Sequence, residues 1–379
     1  MNNHRAPAGV LWFSDCCRDH LPLIGGKNAS LGELTKSGIR VPPGFAVTTE
    51  VYRRFLANAD VEESIWKVLS GLQLGDLASE ESASRKIRNL LHSAPLPSPF
   101  WYDMLLAYER LSRDCGVPNV PVAVRSSATA EDLPGASFAG LQDTYLWVRG
   151  PAAVLEAIVK CWSSLFTQRA ISYRIQMGFS HDKVLMSVGI QKMVNARAAG
   201  VAFTLNPATG DRSKIAIEGN WGLGESVAQG EITPDEFLVD KVTLEISRRS
   251  ISTKTIEYVV PPGSDQVQVR QVPEDRRNAP CVSEAEVLEI ARLAKRIEKY
   301  YGTPQDIEWA VDADLPFPEN VVILQSRQET AWSQRKAEPI LRPDASVLDH
   351  IVANLIVGRR LGPARRQSDK HDGKSDSII

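Results

Sequence analysis

VAVRSSATAEDLPGASFAGLQDTYL, residues 122–146, passes from a short apolar strand into a long run of small residues. The apolar start predicts a buried strand that ends at Arg125. Residues 126–140 are rich in Ser, Ala and Gly, and Pro134-Gly135 is a turn signal. A segment of this kind inside a globular domain is usually functional rather than structural. We therefore expect a lid that folds over a bound ligand, with Arg125 at its base.

Composition limits what else the chain can be. It has 379 residues, of which 43% are hydrophobic and 24% are charged, and its formal net charge is −2. That balance gives no general electrostatic reason to expect nucleic acid or an anionic membrane as a partner. The five cysteines form no C-x-x-C pair, and no run approaches 18 apolar residues. We expect a cytoplasmic protein with more than one core.

Around this stretch the hydrophobic pattern predicts both helices and strands. Residues 1–110 are expected to be mostly helical, and 184–260 to be mostly strands. Residues 151–177 are predicted to form one helix that starts at Pro151 and stops at Gly178. A second helix is predicted over 283–301, with a capping box from Ser283 and Glu286. The segments DIEWAVD (306–312) and VVILQSR (321–327) are predicted to form a closing antiparallel pair.

LIGGKNASLGELTKSGIRVPPGFAVTT, residues 23–49, carries a lysine after two glycines. It predicts a loop entering a short helix, with Asn28 and Ser30 as possible caps and Gly38 as the left-handed stop. The P-loop template does not fit, because Leu21 stands where its first glycine belongs and Asn28 follows the lysine. Lys27 can therefore be a phosphate ligand or a charge on a solvated turn, and the local pattern leaves both open.

Arg125 and the segment QKMV (191–194) allow two interpretations as well. Arg125 is either one half of a surface ion pair or a guanidinium held by its strand and aimed at phosphate oxygens. Met193 and Val194 are more often core residues than ligand contacts. A hinge after a strand can also present backbone N–H and C=O groups to an adenine edge, with apolar side chains on the ring faces.

The closing strand pair contains polar residues that carry chemistry. Glu308 interrupts an apolar strand, and alternation places it on the face opposite Ile307 and Trp309. Gln325 and Arg327 lie two residues apart and so share one face. A carboxylate, an amide oxygen and a guanidinium that converge there suit magnesium and a triphosphate, since hard oxygen ligands hold the metal and the cation holds phosphate. An exposed hairpin edge is the competing interpretation.

Seven motifs in order resemble the nucleotide-binding module of phosphoenolpyruvate synthase, pyruvate phosphate dikinase and rifampicin phosphotransferase. They are GGKNASLGEL, the lid stretch quoted first, QKMV, GVAFTLNPATGD, GLGESVAQGEITPDEF, DIEWA and ILQSR, and they span roughly residues 11–330. The resemblance implies an α+β ATP-grasp fold whose two subdomains grip ATP. It implies an N-terminal subdomain with the lid at 1–195, a C-terminal subdomain with the metal site at 196–330, and a helical extension with a polar tail at 331–379.

By the same resemblance, Lys27 and Arg125 would contact the phosphates of ATP, and 126–144, including Thr144, would be the lid. Gln191, Met193 and Val194 would hold adenine. Glu218 would lie beside the nucleotide. The magnesium ion would be held by Glu308 and Gln325, and Arg327 would contact the transferred phosphate. The catalytic residues implied are Lys27, Arg125 and Arg327.

Family members also carry a phosphorylatable histidine in a T-x-G-G-x-x-S-H type segment, and none of the six histidines here has that context. The simplest interpretation is a split dikinase, in which a separate subunit supplies the histidine and binds a small-molecule acceptor. The chain most resembles the small ATP-binding subunit of phenylphosphate synthase, which implies phenol as that acceptor. The alternatives are a part of a pyruvate- or antibiotic-phosphorylating enzyme, a non-catalytic nucleotide sensor, and a carboxylate–amine ligase.

Overall fold

The computed structural model describes residues 9–58, 61–72, 75–96, 98–129, 143–261 and 263–332, which belong to one compact unit. Predictions for residues 130–142 of the lid and 333–379 of the C-terminal region lie outside them. The strands are β1 (Val10–Trp12), β2 (Gly44–Val47), β3 (Val122–Ala128), β4 (Thr144–Val148), β5 (Met186–Lys192), β6 (Ala196–Phe203), β7 (Lys214–Trp221), β8 (Asp235–Asp240), β9 (Ile246–Ser250), β10 (Ile256–Val259), β11 (Gln268–Gln271), β12 (Gln305–Asp312) and β13 (Val321–Gln328).

The α-helices of the described residues complete the α+β architecture that the sequence predicts. They are α1 (Leu21–Lys36), α2 (Thr49–Asn58), α3 (Glu62–Ser70), α4 (Leu77–Ser93), α5 (Ser98–Asp114), α6 (Pro151–Ser163), α7 (Gln168–Met177), α8 (Glu225–Ala228), α9 (Glu274–Arg277) and α10 (Glu284–Tyr301). The first five confirm the prediction that the N-terminal region is mostly helical.

The strands form two main antiparallel sheets. The first sheet has the order β1-β2-β5-β3-β4, and the second has the order β13-β12-β6-β7-β8-β9. Strands β10 and β11 pair separately as a small hairpin. The chain leaves the first sheet after β5 and enters the second at β6, so residues 193–195 join the two. The described residues of both sheets form one compact unit, and the subdomain division stays a prediction.

The large core of each main sheet lies between the sheet and helices on one of its faces. On the first sheet the core includes Phe55 and Trp162, whose rings stack with centroids 4.9 Å apart. On the second sheet Ile290 and Ile297 of α10 pack with the fully buried Trp309. On the opposite face of the first sheet α1 packs against β2, where Ile24 and Leu31 cluster with Ala46, and the site described below lies beside this helix.

The capping signals of α10 are confirmed. The Ser283 side chain accepts a hydrogen bond from the Glu286 N–H, and the Glu286 side chain accepts from the Ser283 N–H. Gly302 ends the helix in the left-handed conformation, with φ of 72°. The antiparallel pairing of β12 with β13 is confirmed as well.

Three local predictions are wrong. The strand predicted to end at Arg125 continues to Ala128, so residues 126–128 of the predicted lid belong to β3. The helix predicted over 151–177 is broken, because Thr167 has extended backbone angles and its side chain caps α7 by accepting from the Ala170 N–H. Asn28 and Ser30 do not cap α1 but lie inside it. Asn28 is buried and donates to Ser187 Oγ of β5 at 3.0 Å, and Ser30 donates to the Ser326 carbonyl of β13 at 2.7 Å. Both side chains therefore fasten the helix to the sheets rather than start it.

Candidate active site

Arg125 joins the two sheets. It projects from β3 of the first sheet, and its Nη2 donates to Glu308 Oε2 at 3.0 Å and to Gln325 Oε1 at 2.6 Å on the second. Its Nη1 donates to Gln191 Oε1 at 3.2 Å and to the Leu324 carbonyl at 3.0 Å. The side chain is only 13% exposed, so these contacts replace most of its hydration. Arg125 is therefore no peripheral surface ion pair but the centre of a polar cluster between the sheets.

Glu308 and Gln325 face each other across β12 and β13 and point to one place. They are partners in the register of the two strands, and their oxygens both reach the same Arg125 nitrogen. Ile307 and Trp309 are fully buried on the other face, so the alternation predicted from the sequence is observed. In this structure both oxygens accept from Arg125, and a carboxylate and an amide oxygen are of the donor type that magnesium takes. Within the described ranges no group of three or more His, Cys, Asp and Glu side chains could hold a metal by itself.

Arg327 is not the guanidinium that meets Glu308 and Gln325. It pairs with Asp306, with Arg327 Nη2 2.7 Å from Asp306 Oδ2, and its side chain is 54% exposed. Burial raises the pKa of Asp306, and the charge of Arg327 opposes that rise. Asp306 and Arg327 are register partners, two residues along from Glu308 and Gln325 on the same face. The sequence analysis passed over Asp306, although the alternation in DIEWA places it beside Glu308.

Lys27 lies next to Arg125 because α1 abuts the end of β3. Lys27 Nζ donates to the carbonyl of Ser126 at 3.2 Å. The helix is interrupted at Gly25, which has φ of 69° and ψ of 171°. A Cβ at Gly25 would stand 2.3 Å from the Ser127 carbonyl oxygen, so only glycine permits this approach. Gly25 thus lets α1 approach β3 closely enough to bring the Lys27 amine to the base of the predicted lid.

Gln191, Met193 and Val194 lie at the end of β5 and in the link to β6, and all are buried. Gln191 Oε1 accepts from Arg125, but its buried Nε2 has no hydrogen-bond partner among the described residues. A buried unpaired donor is costly unless a ligand or water accepts from it, and adenine offers ring nitrogens that accept. The Met193 N–H already donates to the Pro121 carbonyl at 2.8 Å, so this backbone donor is not free for a base.

Glu218 lies on the same face of the second sheet but is not part of the Arg125 cluster. The register runs from Glu308 through Val201 to Glu218, which places Glu218 two strands away, roughly 10 Å. Burial and the neighbouring Glu236 raise the pKa of Glu218. The two carboxylates of the predicted site therefore lie two strands apart on one face of the sheet.

Glu225, which begins α8, is a second residue that the sequence analysis missed. Its Oε2 is buried and has no partner in the described part of the chain. Burial raises the pKa of Glu225, and the nearby carboxylate of Glu308 adds to the rise. Its position after the glycines of GLGESVAQGEITPDEF was the available signal, because a carboxylate in a glycine-rich turn is placed for contact rather than packing.

Thr144 is the exposed first residue of β4 and is the register partner of Arg125. Of the predicted lid, residues 126–129 and 143–144 are described, and they hold the two ends of the segment together. Ser126 Oγ donates to the Asp143 carbonyl at 2.9 Å, beside the carbonyl that Lys27 contacts. The ends of the predicted lid therefore lie at the cluster formed by Lys27 and Arg125.

Comparison with known families agrees with this geometry. The family model described as "Pyruvate phosphate dikinase, AMP/ATP-binding domain" matches residues 21–346. The chain belongs to this family. Its two sheets with helices are an α+β fold of the ATP-grasp type, and AMP and ATP are the nucleotides that the family's description names as bound. The match covers every predicted site residue, from Lys27 to Arg327.

Several curated relatives carry the name phosphoenolpyruvate synthase. The chain is 44% identical over 348 residues to a probable phosphoenolpyruvate synthase of Staphylothermus marinus, covering 86% of this chain and 42% of that protein. For the Aeropyrum pernix enzyme the identity is 43%, covering 88% and 44%. For the Neisseria meningitidis enzyme it is 38%, covering 97% and 48%. The chain thus spans less than half the length of these relatives. No helix among the described residues is long and apolar enough to cross a membrane.

Proposed function

We propose that the chain binds Mg·ATP between its two sheets and begins a phosphotransfer of the dikinase type. In this role it would be the ATP-binding part of a phosphoenolpyruvate synthase-like system. The observation that carries the proposal is the contact of Arg125, on the first sheet, with Glu308 and Gln325 on the second. Cation and oxygen ligands from both sides of one cleft are the arrangement that a metal–triphosphate complex requires.

The residues of the cleft would act by position and charge. Phosphoryl transfer leaves little covalent work to the protein, and rate comes from neutralising charge on the transferring group. Lys27 and Arg125 would bind phosphate oxygens, and Arg327, which is half exposed, would turn from Asp306 to the transferred group. Once Arg125 has turned from them to phosphate, Glu308 and Gln325 would hold magnesium, which when bound withdraws charge from the phosphate oxygens. Gln191 Nε2 would donate to the base.

The group that receives the phosphorus would come from outside these 379 residues. A histidine nitrogen would form a bond to the β phosphorus while the bond from that phosphorus to the α–β bridging oxygen breaks, and AMP would leave with that oxygen. Water would then release phosphate and leave a phosphohistidine. In the described part of the chain, His20 contacts Cys17, His92 contacts a serine and His181 accepts from Arg174. None of these three described histidines is hydrogen-bonded to Arg125, Glu308 or Gln325.

The final acceptor is favoured to be pyruvate rather than phenol. The relatives at 38–44% identity carry the name phosphoenolpyruvate synthase, whereas the resemblance to a phenylphosphate synthase subunit rests on motifs that the whole family shares. We propose that the histidine and the acceptor site reside on a separate chain or domain that docks over the cleft. The carboxylate–amine ligase interpretation has no support from these relatives.

The test uses the chain mixed with a histidine-bearing carrier protein of the family and β-labelled ATP. We expect AMP formation and acid-labile label on the carrier. Glu308→Ala and Arg327→Ala should abolish both and leave the circular dichroism spectrum unchanged. Glu319→Ala is the matched control, because Glu319 is an exposed carboxylate in the turn between the same two strands. Near-normal turnover by Glu308→Ala or Arg327→Ala would contradict the roles proposed for them.

The same experiment separates an enzyme from a nucleotide sensor. A sensor would bind Mg·ATP and alter a partner's behaviour while AMP stays absent at every carrier concentration. The present geometry favours the enzyme, because a sensor needs the grip on ATP but not the half-exposed Arg327 beside the metal ligands.

A further inference from the structure

A small apolar cluster borders the polar site at the junction of the two sheets. Its buried members are Ala123, Met193 and Leu223. The partly buried hydrophobic residues packed against it are Leu146, Trp147, Ala196, Tyr258 and Val267. These residues come from both sheets, from the link between them and from the β10–β11 hairpin. The cluster is separate from the two large cores, so it lies between the sheets rather than beneath either of them.

The cluster shares a sheet face with the phosphate-binding residues. Ala123 lies two residues before Arg125 on β3, which puts both on one face of the first sheet. Ala123 is also the register partner of Gln191, the residue with the unpaired buried amide nitrogen. Leu146 lies two residues after Thr144 on β4, on the same face. An apolar wall therefore continues directly from the polar cluster, as a base-binding pocket does beside a phosphate site.

Trp147 lies in a β-bulge of β4, because Leu146 and Trp147 stand opposite Ala123 alone between the pairs Tyr145–Val124 and Val148–Val122. It has φ of 56°, a left-handed conformation that bulky residues rarely adopt. Such strain persists only where the surroundings impose it, and it concentrates at ligand sites. Its indole is only partly buried, so part of its aromatic surface remains uncovered although it packs in the same cluster as Met193. A strained position that presents a half-covered indole beside a nucleotide cleft calls for a contact other than the core.

We propose that Trp147 is a further nucleotide contact, whose indole face packs against the purine base and favours purine over pyrimidine nucleotides. This inference rests on the proposed binding of Mg·ATP in the cleft. A purine presents a larger ring surface to the indole than a pyrimidine does. The free energy of stacking a base on an aromatic side chain depends on the ring area in contact and not on the phosphates of the nucleotide.

The test replaces Trp147 without disturbing its backbone. Trp147→Asn suits the conformation, because asparagine tolerates positive φ. Leu244→Asn is the matched control, since Leu244 is also a partly buried apolar residue with positive φ, 55°, but lies near the β8–β9 turn. Isothermal titration would measure the Kd of the magnesium complexes of ATP, UTP and inorganic tripolyphosphate for each protein.

We expect Trp147→Asn to raise the Kd for Mg·ATP about tenfold, as loss of one stacked base does. The Kd for tripolyphosphate should stay within twofold of the wild-type value, and the preference for ATP over UTP should shrink. Trp147→Phe should restore most of the affinity for ATP, and Leu244→Asn should change none of the three values.

Two results would overturn the inference while leaving the proposed function intact. One is an unchanged Kd for Mg·ATP in Trp147→Asn, and the other is an equal rise for ATP and tripolyphosphate, which would mean a structural role only. A wild-type chain that fails to bind Mg·ATP would instead remove the proposed function itself. If the asparagine variant does not fold, photolabelling of the wild-type chain with 8-azido-ATP decides. Label on the peptide that contains Trp147 supports the contact, and label confined to other peptides refutes it.

Discussion

Replacing Arg125 by methionine should weaken the whole fold, because this side chain fastens one sheet to the other. Methionine keeps the length and the apolar stem of arginine but removes the guanidinium. Four acceptors lose their donor: the side-chain oxygens of Gln191, Glu308 and Gln325, and the carbonyl of Leu324. The acceptors belong to β5, β12 and β13, so the loss falls on contacts between elements rather than within one.

The size of the effect follows from the burial of those acceptors. A buried acceptor left unpaired costs about 1–3 kcal/mol, and Gln191 and Gln325 are both buried. The carboxylate of Glu308 is 42% exposed, so its ion pair with Arg125 contributes only about 0.2–1 kcal/mol. Water can enter beside Glu308 and donate hydrogen bonds to some of the acceptors that lose Arg125. We therefore expect Arg125→Met to lower the free energy of unfolding by about 2–4 kcal/mol.

Urea unfolding followed by circular dichroism measures this change, with the m-value as a check that the native state stays compact. Arg327→Met is the matched control. Its guanidinium is 54% exposed and has a carboxylate partner, Asp306, so its removal should cost about 0–1 kcal/mol. The two variants should thus differ strongly in stability, although both are expected to lose phosphotransfer.

A loss of less than about 0.5 kcal/mol in Arg125→Met, with an unchanged m-value, would contradict the reasoning. It would mean that Arg125 does not hold Glu308 and Gln325 in solution, and the two sides of the proposed ATP site would then lack their common contact. Equal losses in both variants would likewise contradict it, since burial and number of acceptors would no longer set the effect.

Two further predictions concern α1 and the end of α7. Gly25→Ala should lower the free energy of unfolding by about 2 kcal/mol or more and weaken Mg·ATP binding, because its Cβ would collide with the Ser127 carbonyl. Gly116→Ala is the control, because Gly116 also has a positive φ, 67°, but an added Cβ would meet no atom within 4 Å. It should lower the free energy of unfolding by only about 1 kcal/mol and leave Mg·ATP binding unchanged. If both variants lose the same stability in thermal unfolding and the same affinity in titration, the collision at Gly25 is refuted. Burial lowers the pKa of His181 to about 4 from 6.5, and the donor Arg174 requires its Nδ1 to be unprotonated. As the pH falls from 6.5 to 4, the unfolded chain binds a proton at this histidine that the folded chain does not bind. The free energy of unfolding should therefore fall by about 1–2 kcal/mol over that range, after allowance for solvent screening. His181→Gln should reduce this pH dependence in urea titrations, and a variant that keeps the wild-type pH dependence would refute the assignment.

The sequence predicted best where the signal is local. The capping box of α10, the left-handed stop at Gly302 and the alternation around Glu308 depend on residues within a few positions of each other. The break at Thr167 escaped because the apolar spacing of 151–177 continues through it, and only the side-chain cap interrupts the hydrogen bonding. Periodicity reports which face is buried, and it is insensitive to one extended residue that leaves both flanking faces in place.

Pairings across the cleft could not be read in the same way. Alternation put Glu308 and Gln325 on a polar face, and the guanidinium expected there was Arg327, the nearest one in sequence. The structure brings Arg125 instead, from a strand of the other sheet 183 residues earlier in the chain than Glu308. Strand register fixes neighbours within a sheet, but which residue arrives from the opposite sheet depends on how α1 and residues 193–195 pack, and no local pattern encodes that.

The difference between local patterns and contacts across the cleft explains why a set of motifs can predict a site and still assign some of its contacts to the wrong residues. Each motif supplies one side of the cleft. The side with Lys27 and Arg125 beside a small-residue segment favours an anionic ligand, and the side with oxygen donors on the closing strand pair favours a metal ion. In the polar cluster the two sides meet through Arg125, whose Nη2 touches both Glu308 and Gln325. Since one side chain carries that meeting, Arg125 should couple fold stability to nucleotide binding, whereas Arg327, paired within its own sheet, should affect the phosphotransfer alone.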